Sequence, residues 1–242
     1  MNGINMSDTI LSVEGLHAHY GKSHILHGVT FDVARGEVVS LLGRNGSGRS
    51  TTMKSIMGLV PPTEGHVRLD GVDLAGQRSF AICRRGIGYV PEEREIFLNL
   101  SVDENLEMGR QSGPAGAAKW DVEQMFTYFP RLKERRNTRA GSLSGGEQQM
   151  LTMCRSLLGN PLVMLIDEPT EGLAPKIVTV VGEVIQDINK HGVSVVLVEQ
   201  KLTIAMHVSH RVCVMGHGQI VFEGTPDELN AKPEITDEWL AV

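Results

Sequence analysis

One stretch constrains this 242-residue chain more than any other: Gly43-Arg44-Asn45-Gly46-Ser47-Gly48-Arg49-Ser50-Thr51. It follows an apolar run, Val38-Val39-Ser40-Leu41-Leu42, and precedes Thr52-Met53-Lys54-Ser55-Ile56-Met57, which has helical composition and stops at Gly58. Strand, glycine-rich turn and helix in that order predict a phosphate-binding loop. Without Cβ atoms at Gly43, Gly46 and Gly48, the turn can curl and aim successive N–H groups at an anion. The helix behind it adds free N–H groups and the positive end of its dipole. Ser50 places a hydroxyl where such loops hold magnesium. The usual pattern, G-x-x-x-x-G-K-[ST], has lysine where this chain has Arg49. The charge is kept, but a planar fork replaces a compact ammonium. Taken alone, the stretch also fits a plain glycine-rich turn before a helix, so the rest of the chain decides.

A chain of this length buries roughly 70–75% of its unfolded surface. One large α/β domain, or a core with a smaller attached subdomain, is expected. The net charge of −6 argues against a general nucleic-acid binder. Cys83, Cys154 and Cys213 are far apart, form no metal pattern and read as buried thiols of a reducing compartment. The nine histidines show no paired metal-ligand spacing either. No apolar run approaches the roughly 20 residues that span a bilayer. Met1 to Ile10 lacks the basic and apolar regions of a signal peptide. A role at a membrane therefore runs through a partner.

Ile10 to Tyr20 and Ile25 to Val33 alternate about a Gly21-Lys22 turn, which predicts an antiparallel hairpin beside the phosphate-loop strand. Tyr20 is either a core aromatic or a ring that stacks on a nucleotide base. Short strands follow at His66–Gly71 and Gly86–Pro91, with a short helix at Phe80–Arg85 between them and a loop at Glu92–Phe97. Ser101-Val102-Asp103-Glu104 is a capping box, and Asp121–Phe129 is amphipathic. The charged run Arg131–Arg139 reads as a solvated face. Residues 92–140 form a helical insertion. Gly141-Ser142-Leu143-Ser144-Gly145-Gly146-Glu147 then opens a helix from Gln148 to Leu158 and offers a second anion-binding helix start.

Leu162-Val163-Met164-Leu165-Ile166 reads as a strand covered on both faces. It ends in Asp167-Glu168, two acids that are costly at a buried strand end unless they have a task. Ligands of open α/β sheets sit at the carboxyl ends of strands. Asp167 is expected to hold magnesium, directly or through water, and Glu168, on the opposite pleat, to polarise the attacking water. A helix at Ile177–Asn189, a strand at Val193–Val198, a helix at Lys201–Val208, a hairpin about Gly216-His217-Gly218 and a short helix from Thr225 complete the chain.

Leu143-Ser144-Gly145-Gly146-Glu147 resembles the signature motif of ABC-type ATPases, lying in that family's order between a phosphate loop and an apolar strand ending Asp-Glu. Tyr20 matches its aromatic position. The resemblance covers roughly Ile10 to Leu229. The closer resemblance is to the ATPase subunits of branched-chain amino-acid importers, and nearly as much to those of urea importers. Three stretches carry it: Tyr89-Val90-Pro91-Glu92 running into Glu95-Ile96-Phe97, Asp167 to Pro175, and Leu197-Val198-Glu199-Gln200. Most ABC ATPases have glutamine at Glu92 and histidine at Gln200; this subgroup often carries the residues seen here.

The resemblance implies an α/β phosphate-loop core with a mixed sheet, an antiparallel β subdomain and a helical insertion. The single nucleotide-binding domain would span 1–242, with a core of 1–91 and 160–242 and a helical subdomain of about 92–159. ATP would bind with its base on Tyr20 and its phosphates in Gly43–Thr51. Magnesium would sit against Ser50, with Asp167 and Glu92 nearby, and Gln200 would contact the γ-phosphate. Ser144, Gly145, Gly146 and Glu147 of one subunit would close over ATP held by a second ATPase subunit. The loop around Glu92–Phe97 would press on transmembrane permease subunits, which indirectly serve a solute-binding protein, at the cytoplasmic face of the inner membrane. Two other readings are a soluble ABC-type ATPase of translation or DNA repair, and a regulatory subunit of low turnover. The first usually has two cassettes or a long coiled-coil insertion, both lacking here; Arg49 favours the second and Glu168 opposes it.

Overall fold

The computed structural model describes residues 8–241. The first seven residues of the N-terminal stretch read above for a leader therefore lie outside the described residues. The strands are β1 (Thr9–Tyr20), β2 (Ser23–Ala34), β3 (Val38–Gly43), β4 (Glu64–Leu69), β5 (Val72–Asp73), β6 (Ile87–Val90), β7 (Val163–Asp167), β8 (Ser194–Glu199), β9 (Arg211–Gly216) and β10 (Gln219–Gly224). The helices are α1 (Arg49–Ile56), α2 (Ser79–Arg85), α3 (Val102–Gly109), α4 (Val122–Tyr128), α5 (Pro130–Glu134), α6 (Gly145–Leu157), α7 (Pro175–Lys190), α8 (Leu202–Val208), α9 (Pro226–Asn230) and α10 (Pro233–Trp239).

Two sheets organise the chain. Six strands in the order β10-β9-β3-β8-β7-β6 form a mixed sheet, parallel except for the antiparallel β9–β10 pair. Four strands in the order β2-β1-β4-β5 form an antiparallel sheet. Every residue of β3, β7 and β8 is buried, as the continuous apolar runs predict for strands covered on both faces. Val196 and Val198 of β8 point to one face, while Val195 and Leu197 point to the other.

The first of those faces explains the rigidity of the loop's pedestal. Met53 and Ile56 of α1 are buried between Leu11, Val13, Leu26 and Val29 of the antiparallel sheet and Leu41, Leu165 and Val196 of the mixed one. Burial of each such side chain is worth about 1.5–3 kcal/mol. The helix behind the glycine-rich turn is thus clamped between two sheets. On the opposite face, Val181, Ile185 and Ile188 of α7 and Leu151 and Met153 of α6 pack with Leu106, Met125, Phe126 and Phe129 from the helical region.

Several expectations change in detail. The β1–β2 hairpin does not pair with β3, whose neighbours are β8 and β9; it belongs to the second sheet and covers α1. Helix α6 begins at Gly145 rather than Gln148, because Ser144 caps it and Glu147 completes a capping box. Helix α7 begins at Pro175, which is favoured at a first helical position. Tyr20 is 49% exposed, which removes its reading as a core aromatic. Cys154 and Cys213 are buried, but Cys83 only partly so. Helix α10 had no counterpart in the sequence reading. Its Trp239 ring lies on Gly216, where a Cβ would come within 2.3 Å.

Candidate functional site

Strand β3 delivers the chain to its carboxyl end at Gly43, and the loop turns back on itself at once. A Cβ on Gly43 would meet the Met215 carbonyl oxygen and Ser47 Oγ at 2.6 Å, so the turn closes only with glycine there. Gly48, at φ +103°, caps α1 with left-handed backbone. The loop is tied in place by Ser47 N donating to Arg44 O (3.1 Å) and by Gly218 N, from the β9–β10 turn, donating to Ser47 O (3.0 Å).

An open cleft is lined by Asn45 to Thr51 together with Glu92, Glu168, Glu171 and Gln200. Ser50 Oγ donates to Asp167 Oδ1 at 3.0 Å. These two oxygens suit a hard divalent cation such as magnesium; Glu92 lies on the cleft with Ser50, but its carboxylate gathers with Glu168 and Glu171 and not with the buried Asp167, which does not line the cleft. Asp167 is fully buried, and burial pushes its carboxyl up to about 6; the Ser50 hydrogen bond works against this and Glu168 adds to it. Tyr89 also faces it, with its hydroxyl 3.4 Å from Asp167 Oδ2.

Glu168 is not on the opposite pleat of the strand. β7 ends at Asp167, and Glu168 has φ +45°, left-handed backbone that a non-glycine residue adopts rarely. Its N–H donates to Val198 O at 2.9 Å, which anchors the turn. The carboxylate is held from two sides. Arg49 Nη2 donates to Oε1 at 2.9 Å, and Gln200 Nε2 lies 3.2 and 3.1 Å from Oε1 and Oε2.

Arg49 is 4% exposed and Glu168 8%. The guanidinium also donates to Glu199 O at 2.8 Å and to Asn45 Oδ1 at 3.3 Å, while Gln200 donates to Asn45 as well. Burial pulls the Arg49 guanidinium below its ordinary value, against the opposing pull of Glu168, Asp167, Glu199 and Glu92. Glu92 is pushed up by burial and then by Glu168, Asp167 and Glu171. Carboxylate oxygens of Glu92, Glu168 and Glu171 lie within 4.8 Å of one another, so the cleft gathers negative charge around one arginine.

Tyr20 and the signature residues do not line this cleft. Tyr20 ends β1 at the hairpin tip. Ser144 Oγ accepts from Glu147 N (3.3 Å), Glu147 Oε2 accepts from Ser144 N (2.8 Å), and Arg135 Nη1 donates to the same Glu147 oxygen (3.0 Å). Within one subunit, that helix start is already occupied by its own carboxylate. Glu171 and Glu199 escaped the sequence reading as site residues. Glu199, buried and pushed up chiefly by burial, ends an apolar parallel strand just as Asp167 does, and that signal was available. Its Oε1 accepts from Thr170 Oγ1 at 2.7 Å.

The fold and the loop define a phosphate-loop nucleotide-binding ATPase. The ABC transporter family model matches residues 26–171, and the chain belongs to that family as an ATP-binding subunit. It is similar to the high-affinity branched-chain amino acid transport ATP-binding protein BraG of Pseudomonas aeruginosa, at 39% identity, covering 96% of this chain and 99% of that one. It is also similar to a probable branched-chain amino acid transport ATP-binding protein, LivF, of Archaeoglobus fulgidus (34%; 88% and 91%). The lipopolysaccharide export system ATP-binding protein LptB of Haemophilus influenzae is 31% identical (96% and 97%). Among solved structures, an ATP-binding cassette of an ABC transporter in its ADP conformation superposes with a TM-score of 0.80 at 26% identity (95% and 97%).

Proposed function

We propose that this chain is the ATPase subunit of an importer for branched-chain amino acids. The observation that carries this is the 39% identity to BraG along nearly the full length of both chains. The subgroup residues Glu92 and Gln200, both on the cleft, support it. The chain works at the cytoplasmic face of the inner membrane, as one of two ATPase subunits bound to permease subunits that receive solute from a binding protein. Among the described residues no helix is long and apolar enough to cross a membrane. The exposed apolar side chains Leu59, Phe97 and Met108 border one groove with Tyr89 and Glu95, which offers a permease loop its contact.

ATP places its base on Tyr20 and its phosphates in the loop Gly43–Thr51. Magnesium is held by Ser50, Asp167 and Glu92; when bound it neutralises charge on the phosphates. Glu168 accepts a proton from, or orients, the attacking water. Gln200 contacts the γ-phosphate and, having no titratable proton, acts by hydrogen bonding alone. Ser144 to Glu147 cover the nucleotide held by the opposite subunit. Glu147 serves this by holding Ser144 and fixing the helix start.

Arg49 gives this cassette a latch. The guanidinium binds the carboxylate that handles water. A γ-phosphate competes for the same fork and releases Glu168, while the bulk of the fork beside the phosphates costs positioning and therefore rate. This favours low turnover as a second reading, with a partner ATPase subunit carrying most of the hydrolysis. Reconstitution with the neighbouring permease and binding-protein genes tests both. Uptake of labelled leucine, abolished by Glu168→Gln, is expected; leucine uptake that survives Glu168→Gln selects the second reading, and uptake of urea instead overturns the assignment.

A further inference from the structure

Nothing in the chemistry above uses a histidine, yet four of them meet on one face of the β1–β2 hairpin. His17 stands opposite His27 and His19 opposite His24 in the strand register. Their rings are piled together: His19 and His24 stack with centroids 4.0 Å apart, His24 and His27 lie at 3.9 Å, and His17 and His24 at 5.2 Å. His17 Nδ1 and His24 Nε2 are 3.0 Å apart. The sequence hides this, because no single segment has ligand spacing; only the hairpin register brings the two pairs face to face.

We propose that His17 Nδ1 and His24 Nε2 form a two-histidine binding site for a late first-row transition-metal dication such as Zn2+, with water completing its shell. Two imidazole nitrogens bound tetrahedrally at about 2.0–2.1 Å stand about 3.3 Å apart, close to the separation of this pair. An imidazole pair as the protein donors selects zinc, copper or nickel over magnesium or calcium. His19 and His27 flank the pair without converging on it: His19 lies parallel to His24, and its Nδ1 is 3.2 Å from Thr63 Oγ1. His24 is exposed and the other three are only partly buried, so an ion enters directly from solvent. A bound ion links the two strands close to Tyr20 and stiffens the hairpin tip.

The test is calorimetric titration of the untagged full chain with Zn2+, in excess Mg2+ so that the oxygen-donor cleft is filled. One saturable equivalent is expected, weakened about tenfold in His24→Gln and about a hundredfold in His17→Gln/His24→Gln, with His207→Gln as an unaffected control. Circular dichroism verifies that each variant is folded. X-ray absorption of the loaded protein is expected to show imidazole nitrogen around zinc. No saturable equivalent, unchanged affinity in the double variant, or a coordination shell of oxygen alone overturns the proposal.

Discussion

Arg49 and Glu168 are bonded to each other, Nη2 to Oε1 at 2.9 Å, with both side chains buried. The one loop residue that departs from the phosphate-loop pattern is therefore joined to the acid proposed to handle water. Lysine at position 49 has no second nitrogen with which to hold Glu168 and the Glu199 carbonyl at once. Arg49→Lys is expected to raise the ATP turnover of the assembled transporter about three- to tenfold with a nearly unchanged KM. Unchanged turnover would show that the arginine is not limiting. Arg49→Ala leaves a buried carboxylate unpaired and is expected to lower unfolding free energy by about 3–5 kcal/mol in denaturant titrations without nucleotide.

Glu168→Gln keeps the shape of the side chain and removes its capacity as a base. Hydrolysis in the assembled complex is expected to fall about 10²–10⁴-fold while ATP still binds, measured by phosphate release and by nucleotide filter binding. Loss of binding together with turnover would place Glu168 in recognition instead.

Asp167 titrates at about 6 in the folded chain against an ordinary 3.8, chiefly because it is buried. The folded state therefore keeps a proton that the unfolded state has lost. The stability this carboxyl contributes is complete below about pH 4 and declines as pH rises through about 6. Relative to Asp167→Asn, the nucleotide- and metal-free protein is expected to lose up to about 3 kcal/mol across that window. Parallel stability profiles for the two proteins would contradict this.

Tyr20 is half exposed and packs little of the core. Tyr20→Ala is expected to weaken ATP and ADP binding by about 1–3 kcal/mol, a cost typical of lost base–aromatic stacking. Tyr20→Trp should retain affinity, and thermal stability should be unaltered in both. Equal affinity in Tyr20→Ala would move the base elsewhere.

The central strands and the loop were legible because their signals are local. A fully apolar run of five ending in Asp-Glu, or three glycines between a strand and a helix, fixes its own context. What stayed hidden depends on contacts between distant segments. Nothing near Arg49 in the sequence says that its fork reaches residues 168 and 199. Nor does a pair of histidines at 17 and 19 reveal its partners at 24 and 27 until the hairpin register is known. The left-handed turn at Glu168 follows from its N–H reaching across to Val198, a bond no pattern of residues announces. The start of α6 at Gly145 was misplaced because two glycines read as loop, although the capping box beside them already marked a helix.

Trp239 lies flat on Gly216, and with Glu238 it borders a hollow whose other side is Arg44 to Ser47. The last helix is thus a buttress for the nucleotide loop nearly two hundred positions earlier. A purification handle fused behind it is expected to disturb that loop, so nucleotide affinity should be compared with a preparation tagged elsewhere.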